Sequence, residues 1–430
     1  MPSENFNVVL IGIDTLRADH LGYHGYHRQT SPDIDAIAKE SIVFKNCFAQ
    51  APITSPSFMS VMTGRYPTYH GVTSNIGATG RNGRAYTLDN NIPTLAQILK
   101  REGYRTGAFT DGGNLYGKLG FERGFDYYSM NMEYGTKMPG LIPENDIFRW
   151  VREYSKEKFF LFFHTFAVHN PWAIPDKYLT VFGSGYTGKL LIDHLLTESL
   201  KKPGRSPRLP FLRMADTQDQ ADMDYLKAIY DGAIKYVNDF ISKLNALLKE
   251  LRIADNTILI FTADHGEEFF EHGILGHKQF YDELLHVPLF MKIPGIKTSS
   301  EINDIVQSVD ILPTILKLLE IKNELKVHGT QLPFQSTKNP KLIAVAQADG
   351  LGYSIRDNKY KYLYPENISY KIRADELYDL ENDPKEKNNI ALKNLDIVEE
   401  MLHRLEQELH ARVKMDLPRR KIIYLKRPKN

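Results

Sequence analysis

Asn7-Val-Val-Leu-Ile-Gly-Ile-Asp14 is an unbroken apolar run closed by a carboxylate. Continuous rather than alternating hydrophobicity over so short a stretch marks a strand buried on both faces, the pattern of a parallel sheet covered by helices. Phe159 to Phe163 and Thr257 to Thr262 have the same form; the first ends at His164 with His169 soon after, the second at Asp264 and His265. Ligands of open parallel sheets bind beyond the carboxyl ends of the strands, so these three endings are expected to converge on one site.

The intervening segments read as helices. Leu226, Ile229, Tyr230, Ala233, Val237, Phe240, Ile241, Leu244, Leu247, Leu248 and Leu251 recur at steps of three and four, one long amphipathic helix for the sheet. Shorter helices are expected at Ile34 to Glu40, Thr94 to Glu102 and Val309 to Leu319. The fold class is therefore α/β, with residues 1–330 as the main domain and 173–222 as an inserted surface segment rich in Gly, Pro and mixed charge. From 331 the texture changes to the strands Leu342 to Gln347 and Tyr360 to Tyr364 and the helix Ile397 to Val413, a C-terminal α+β subdomain over 331–415. Residues 416–430 form a basic tail.

Composition removes several function classes. The 54 Lys and Arg against 53 Asp and Glu leave a formal charge of +1, which supplies no global field for nucleic acid or an anionic membrane. A single cysteine, Cys47, admits no intrachain disulfide and no cysteine-based zinc cluster, so a metal would need His and carboxylates. The opening Met1-Pro-Ser-Glu-Asn-Phe6 has neither a basic lead nor a long apolar run, and no stretch approaches the roughly 20 apolar residues of a membrane span; a cytoplasmic location is expected.

Ala51-Pro-Ile-Thr-Ser-Pro-Ser-Phe-Met-Ser-Val-Met-Thr-Gly-Arg65 reads as a loop entering a helix, with Thr54 or Ser55 as the cap, Pro56 in the first turn and Gly64 at the end. A helix start presents unpaired N–H groups and the positive end of the dipole, so an anionic tetrahedral group would sit there facing a hydroxyl.

Together with Asn7 to Gly22, Thr54-Ser-Pro-Ser57 to Thr63-Gly-Arg65 and Thr262-Ala-Asp-His-Gly-Glu-Glu268, this block resembles the sulfatase family of the alkaline phosphatase superfamily. Gly276-His-Lys278, Val309-Asp-Ile-Leu-Pro-Thr314 and Glu376-Leu-Tyr-Asp-Leu-Glu-Asn-Asp-Pro384 extend the match in the same order. The resemblance implies an alkaline phosphatase-like, doubly wound, mostly parallel sheet with a smaller C-terminal sheet subdomain. It also implies a divalent metal (Ca, Mg, Mn or Zn) on Asp14, Asp264, His265 and the oxygen of Thr54, with Thr54 as nucleophile. His169 matches the family's histidine on the anion or leaving group, and Lys278 its basic residue on the anion. His277, beside it, and Lys118, in a glycine-rich loop, are further candidates for substrate binding. Arg17, His272, Glu267 and Glu268 stand behind them, and Arg65 is assigned to ordering the nucleophile helix. Alanine at 167, where two-metal relatives carry Asp, favours one metal per chain.

Two departures bear on the chemistry. Sulfatases place Cys or Ser two residues before the motif proline, for conversion to formylglycine, and Arg two residues after it; this chain has Thr54 and Phe58. Threonine there resembles the superfamily's phosphodiesterases, pyrophosphatases and phospho-group transferases. The leading expectation is thus a metal-dependent hydrolase or transferase of phosphodiesters, phosphomonoesters or phosphonate esters. A sulfate-ester hydrolase is the alternative, and an inactive member that binds an anionic sugar or lipid head group is a third reading. The substrate is expected to be a small-molecule, glycan or lipid head-group ester; the sequence leaves its organic part and the oligomeric state open.

Overall fold

A computed structural model of the chain describes residues 6–75, 87–131, 140–188, 190, 219–296, 299–322, 324–336, 343–365 and 375–411. Its centre is an eight-stranded sheet. In chain order the strands are β1 (Asn7–Ile13), β2 (Ile42–Phe48), β3 (Arg105–Thr110), β4 (Tyr127–Met130), β5 (Phe159–Thr165) and β6 (Thr257–Ala263). The short ribbon β7 (Glu268–Phe269) and β8 (Leu275–Gly276) intervenes before β9 (His286–Lys292) and β10 (Ser300–Gln307). The spatial order is β10-β2-β9-β6-β1-β5-β3-β4, and every pair is parallel except those that β9 makes with β2 and β6.

The three apolar runs lie side by side at the centre, and all their residues are buried. Fully burying a side chain such as Leu10 or Phe160 is worth about 1.5–3 kcal/mol, so these strands anchor the fold. Their register fixes the site: Ile13 pairs with Thr165 on one side and with Ala263 on the other, which brings Asp14 and Asp264 to the same edge.

Helices cover both faces. The long helix runs Gln220–Glu250, starting ahead of its apolar periodicity because the Asp219 carboxylate caps it at Ala221 N and Asp222 N. The 173–222 segment is packed where it begins: Ala173, Ile174, Tyr178 and Leu179 are buried, and the turn Asp176–Leu179 lies on the long helix. Glycine at 232 permits this, since a Cβ there would stand 2.0 Å from Tyr178 O. Residues 191–218 of that segment, and the basic tail 416–430, lie outside the described residues. No helix among the described residues is long and apolar enough to cross a membrane.

The C-terminal part is a four-stranded antiparallel sheet, β11 (Ala344–Ala348), β12 (Gly352–Arg356), β13 (Tyr360–Pro365) and β14 (Glu376–Asp379), backed by the helix Leu395–Ala411. A buried ion cluster ties it to the large domain. Lys361, fully buried on β13, reaches Asp282 Oδ1 at 2.7 Å and Glu386 Oε1 at 2.8 Å, and Arg356 Nη1 reaches Asp282 Oδ2 at 2.5 Å. Removing one member of a buried pair leaves the others uncompensated. Lys361→Met should therefore lower the unfolding free energy by about 3–5 kcal/mol, measured by urea denaturation; a loss under about 1 kcal/mol, the scale of a surface pair, would contradict the clamp.

Candidate active site

Asp14 leaves the end of β1 with its N–H on Thr165 O at 3.1 Å. The next residue, Thr15, has φ 58°, uncommon for a β-branched residue. The bend is held on both sides: Thr15 N–H donates to Asp264 Oδ1 at 3.1 Å, and Tyr230 on the long helix donates from its hydroxyl to Thr15 O at 2.7 Å while accepting Arg17 N–H at 2.8 Å. Asp264 Oδ1 also accepts His265 N–H at 2.8 Å. The Nδ1 of His265 lies 2.9 Å from Gly266 O, which can only accept; Nδ1 therefore carries the proton and Nε2 presents a lone pair.

The helix that Thr54 opens runs Thr54–Thr63 and ends at Gly64 in the left-handed region, as the sequence indicates. Thr54 and Ser55 do not cap it. Thr54 is its first helical residue and sends Oγ1–H to Asp14 Oδ2 at 3.2 Å, while Ser57 Oγ–H ties the helix to Asp264 O at 2.7 Å. Phe58, at the position of the motif arginine, is a packing residue: its ring stands edge-on to His164 at 5.1 Å and covers Gly12, where a Cβ would lie 2.5 Å from it.

Asp14, Asp264 and His265 are fully buried, and ligand atoms from the three lie within 4.8 Å of one another. Asp264 Oδ2 and His265 Nε2 have no hydrogen-bond partner. Two buried carboxylates beside an idle imidazole nitrogen are costly without a cation, so the donor set fits a divalent metal. Thr54 Oγ1 lies beside it on Asp14 Oδ2, and fully buried Ala167 offers no ligand. His164, its Nε2 3.6 Å from Asp14 Oδ2, is pushed down to about 4 by burial and stays neutral near pH 7.

Two histidines close the site. His169 precedes a cis Asn170–Pro171 bond and is buried, with Nδ1 donating to Asn170 O. The His277 ring lies 5.1 Å from that of His169 and 4.5 Å from that of His265. The lysines differ from expectation. Lys278 is exposed and lines a cleft with Phe280, Tyr281, Leu351, Leu363 and Tyr364, while its neighbour His277 turns to Glu267. Lys118 is exposed with Nζ 6.0 Å from the centre of the Tyr116 ring. No contact brings either into the metal cluster.

Arg17 is a structural cation: buried, it binds Asp19, Glu271 and Glu267 O. Glu268, pushed up to about 9 by burial, is held by Gln279 Nε2, and His272 stacks on Tyr281 and meets Glu283. Cys47 is buried, which raises its thiol, and is no nucleophile. One site residue escaped the sequence. Asn114 Nδ2 donates to Thr54 Oγ1 at 3.4 Å, and its carbonyl accepts Ser55 Oγ–H at 2.6 Å. Only its place in a Gly-rich loop after β3 hints at this.

Residues 6–321 match the family model described as Sulfatase. The chain belongs to the sulfatase family. Residues 270–414 also match the model described as N-sulphoglucosamine sulphohydrolase, C-terminal. Arylsulfatase K of Canis lupus familiaris is 25% identical, with 94% of this chain and 82% of that protein covered. N-acetylglucosamine-6-O-sulfatase of Bacteroides thetaiotaomicron is 24% identical, covering 89% and 82%. Among solved structures, one in complex with D-glucosamine-2-N,6-O-disulfate superposes with a TM-score of 0.74 at 19% identity, covering 94% of this chain and 97% of that one. The phosphonate monoester hydrolase of Agrobacterium radiobacter superposes with 0.71 at 22% identity, covering 94% and 95%. The chain is thus a sulfatase-family hydrolase with the family's α/β fold and C-terminal sheet.

The metal assignment is separable from loop packing. Asp264→Asn keeps an oxygen for Thr15 N–H and His265 N–H but removes the charge. It should lose most bound divalent metal relative to wild type, by elemental analysis after dialysis, with an unfolding temperature no lower than that of metal-free wild type. Undiminished metal content would contradict the site.

Proposed function

We propose that this chain hydrolyses sulfate esters of sugars, with Thr54 Oγ1 as the attacking atom. The carrying observation is the buried set Asp14, Asp264 and His265 with Thr54 Oγ1 hydrogen-bonded to Asp14. The sulfatases similar over nearly the whole chain, and the sulphohydrolase match at 270–414, support sulfur as the centre and a sugar as the alcohol.

A divalent cation on Asp14, Asp264, His265 and Thr54 Oγ1 would offset the charge of the ester oxygens and lower the pKa of the hydroxyl. The chain's own groups do the rest. The Thr54 proton already lies toward Asp14 Oδ2, and Asn114 Nδ2 fixes the oxygen from the other side. As the Oγ1–S bond forms, the S–O bond to the sugar breaks, and the departing oxygen takes a proton from a histidine at the mouth, His169 or His277. Water then attacks sulfur, that histidine takes the water's proton, and the Oγ1–S bond breaks to release sulfate while Oγ1 recovers from Asp14 Oδ2 the proton it gave up on attack.

A second reading keeps the residue-level preference for phosphorus. It stands on Thr54 itself, which has one hydroxyl where formylglycine hydrate has two and cannot expel the bound group by elimination. It also stands on Phe58, which puts a packed ring where the motif has a cation. The same double displacement would then run through phosphothreonine.

A panel of 4-nitrophenyl sulfate, phosphate, phosphodiester and phosphonate esters on one preparation separates the readings. The proposal expects the highest kcat/KM on the sulfate, none in Thr54→Ala, which still binds metal, and a measurable remainder in Thr54→Ser. Higher kcat/KM on any phosphorus ester would replace it with the second reading.

A further inference from the structure

The loops that carry His169 and His277 are far apart in sequence, and one side chain joins them. Glu267 is fully buried. Its Oε1 lies 3.2 Å from His277 Nδ1, and its Oε2 accepts Asn170 Nδ2–H at 3.3 Å, from the residue beside His169. The Glu267 carbonyl also accepts Arg17 Nη1–H at 3.0 Å, which fixes its backbone to the β1 loop. Gly276, with φ 126°, makes the turn that delivers His277 to this carboxylate, and few other residues tolerate that angle.

We propose that Glu267 is the positioning residue for leaving-group protonation, its two oxygens clamping His277 directly and the His169 loop through Asn170. With its Oε2 already accepting from Asn170, the Glu267 side chain takes a hydrogen from His277 Nδ1 at Oε1, so the proton that the reacting ester needs is the one carried on His277 Nε2 at the start of the cycle. During the first displacement a proton passes from His277 Nε2 to the sugar oxygen as its bond to sulfur breaks. The water that cleaves the covalent ester returns one to Nε2. Throughout, Nδ1–H stays on Glu267. The structure thus points to His277, whose Nδ1 faces a buried carboxylate, ahead of His169, whose Nδ1 donates to the Asn170 carbonyl. This inference rests on the ester-hydrolase reading above.

Glu267→Gln keeps the length and volume but offers one neutral acceptor in place of two charged ones, so the amide cannot accept from both Asn170 and His277. On esters with poor alkyl leaving groups kcat should fall about 10²-fold, the low end for general acid catalysis, and by only a few-fold on 4-nitrophenyl esters, which need little protonation. His277→Gln should show the same split, and the double variant should lose no more than His277→Gln alone. Equal loss on both ester types, or losses that multiply in the double variant, would overturn the proposal.

The clamp also has a readout that needs no turnover. In 15N-histidine-labelled protein a slowly exchanging Nδ1–H resonance, assigned by its absence in His277→Gln, should vanish in Glu267→Gln. Its persistence unshifted there would overturn the clamp even if every ester is a substrate. Failure of the wild type on all esters would instead sink the hydrolase reading and leave this resonance to decide the clamp.

Discussion

Asp14 and Asp264 each stand one residue beyond paired positions, Ile13 and Ala263, of two adjacent parallel strands. That register brings two carboxylates together with both side chains fully buried. Burying one ionised carboxylate without compensation is costly, and burying two side by side more so. The surrounding structure follows from that constraint. Asp264 Oδ1 takes two backbone N–H groups, the Thr15 bend is held open by Tyr230, and Ser57 pins the helix that Thr54 opens to the Asp264 carbonyl. The neighbouring Asp264 Oδ2 and His265 Nε2 are left for a cation.

The position of Thr54 is set by the same arrangement. Because Thr54 opens the helix instead of capping it, its hydroxyl is released from the helix backbone and reaches Asp14. Phe58, one turn on, seals the helix onto Gly12 and His164. A cation at 58 would lie within this apolar contact, so its absence and the packing are one fact. The helix therefore sends a packed ring, and no arginine, from position 58.

The central strands and the meeting of Asp14, Asp264 and His265 at their ends were legible because a strand buried on both faces writes itself as a continuous apolar run with a polar end. Strand β2 was harder, since Lys45 and Asn46 interrupt its apolar pattern, and β3 is short and carries Gly107. Asn114 meets Thr54 across 60 positions in a loop with no periodicity, so nothing local announces it. The choice between His277 and Lys278 turned on which of two neighbouring side chains meets Glu267, and nothing local in the sequence marks it as His277. The early part of 173–222 looked like surface because Gly and Pro dominate it, yet Gly232 on the distant helix makes room for it to pack. The preference for phosphorus came from two positions, Thr54 and Phe58, whereas the similar proteins weigh the chain as a whole.

The central claim is that the ester is cleaved by two displacements through Thr54 and not by direct attack of water. The stereochemical course at sulfur or phosphorus, followed with an oxygen-isotope-chiral ester, tests it most directly. Two inversions give net retention of configuration, which this account predicts. Net inversion would mean a single displacement by water and would remove Thr54 from the role of nucleophile.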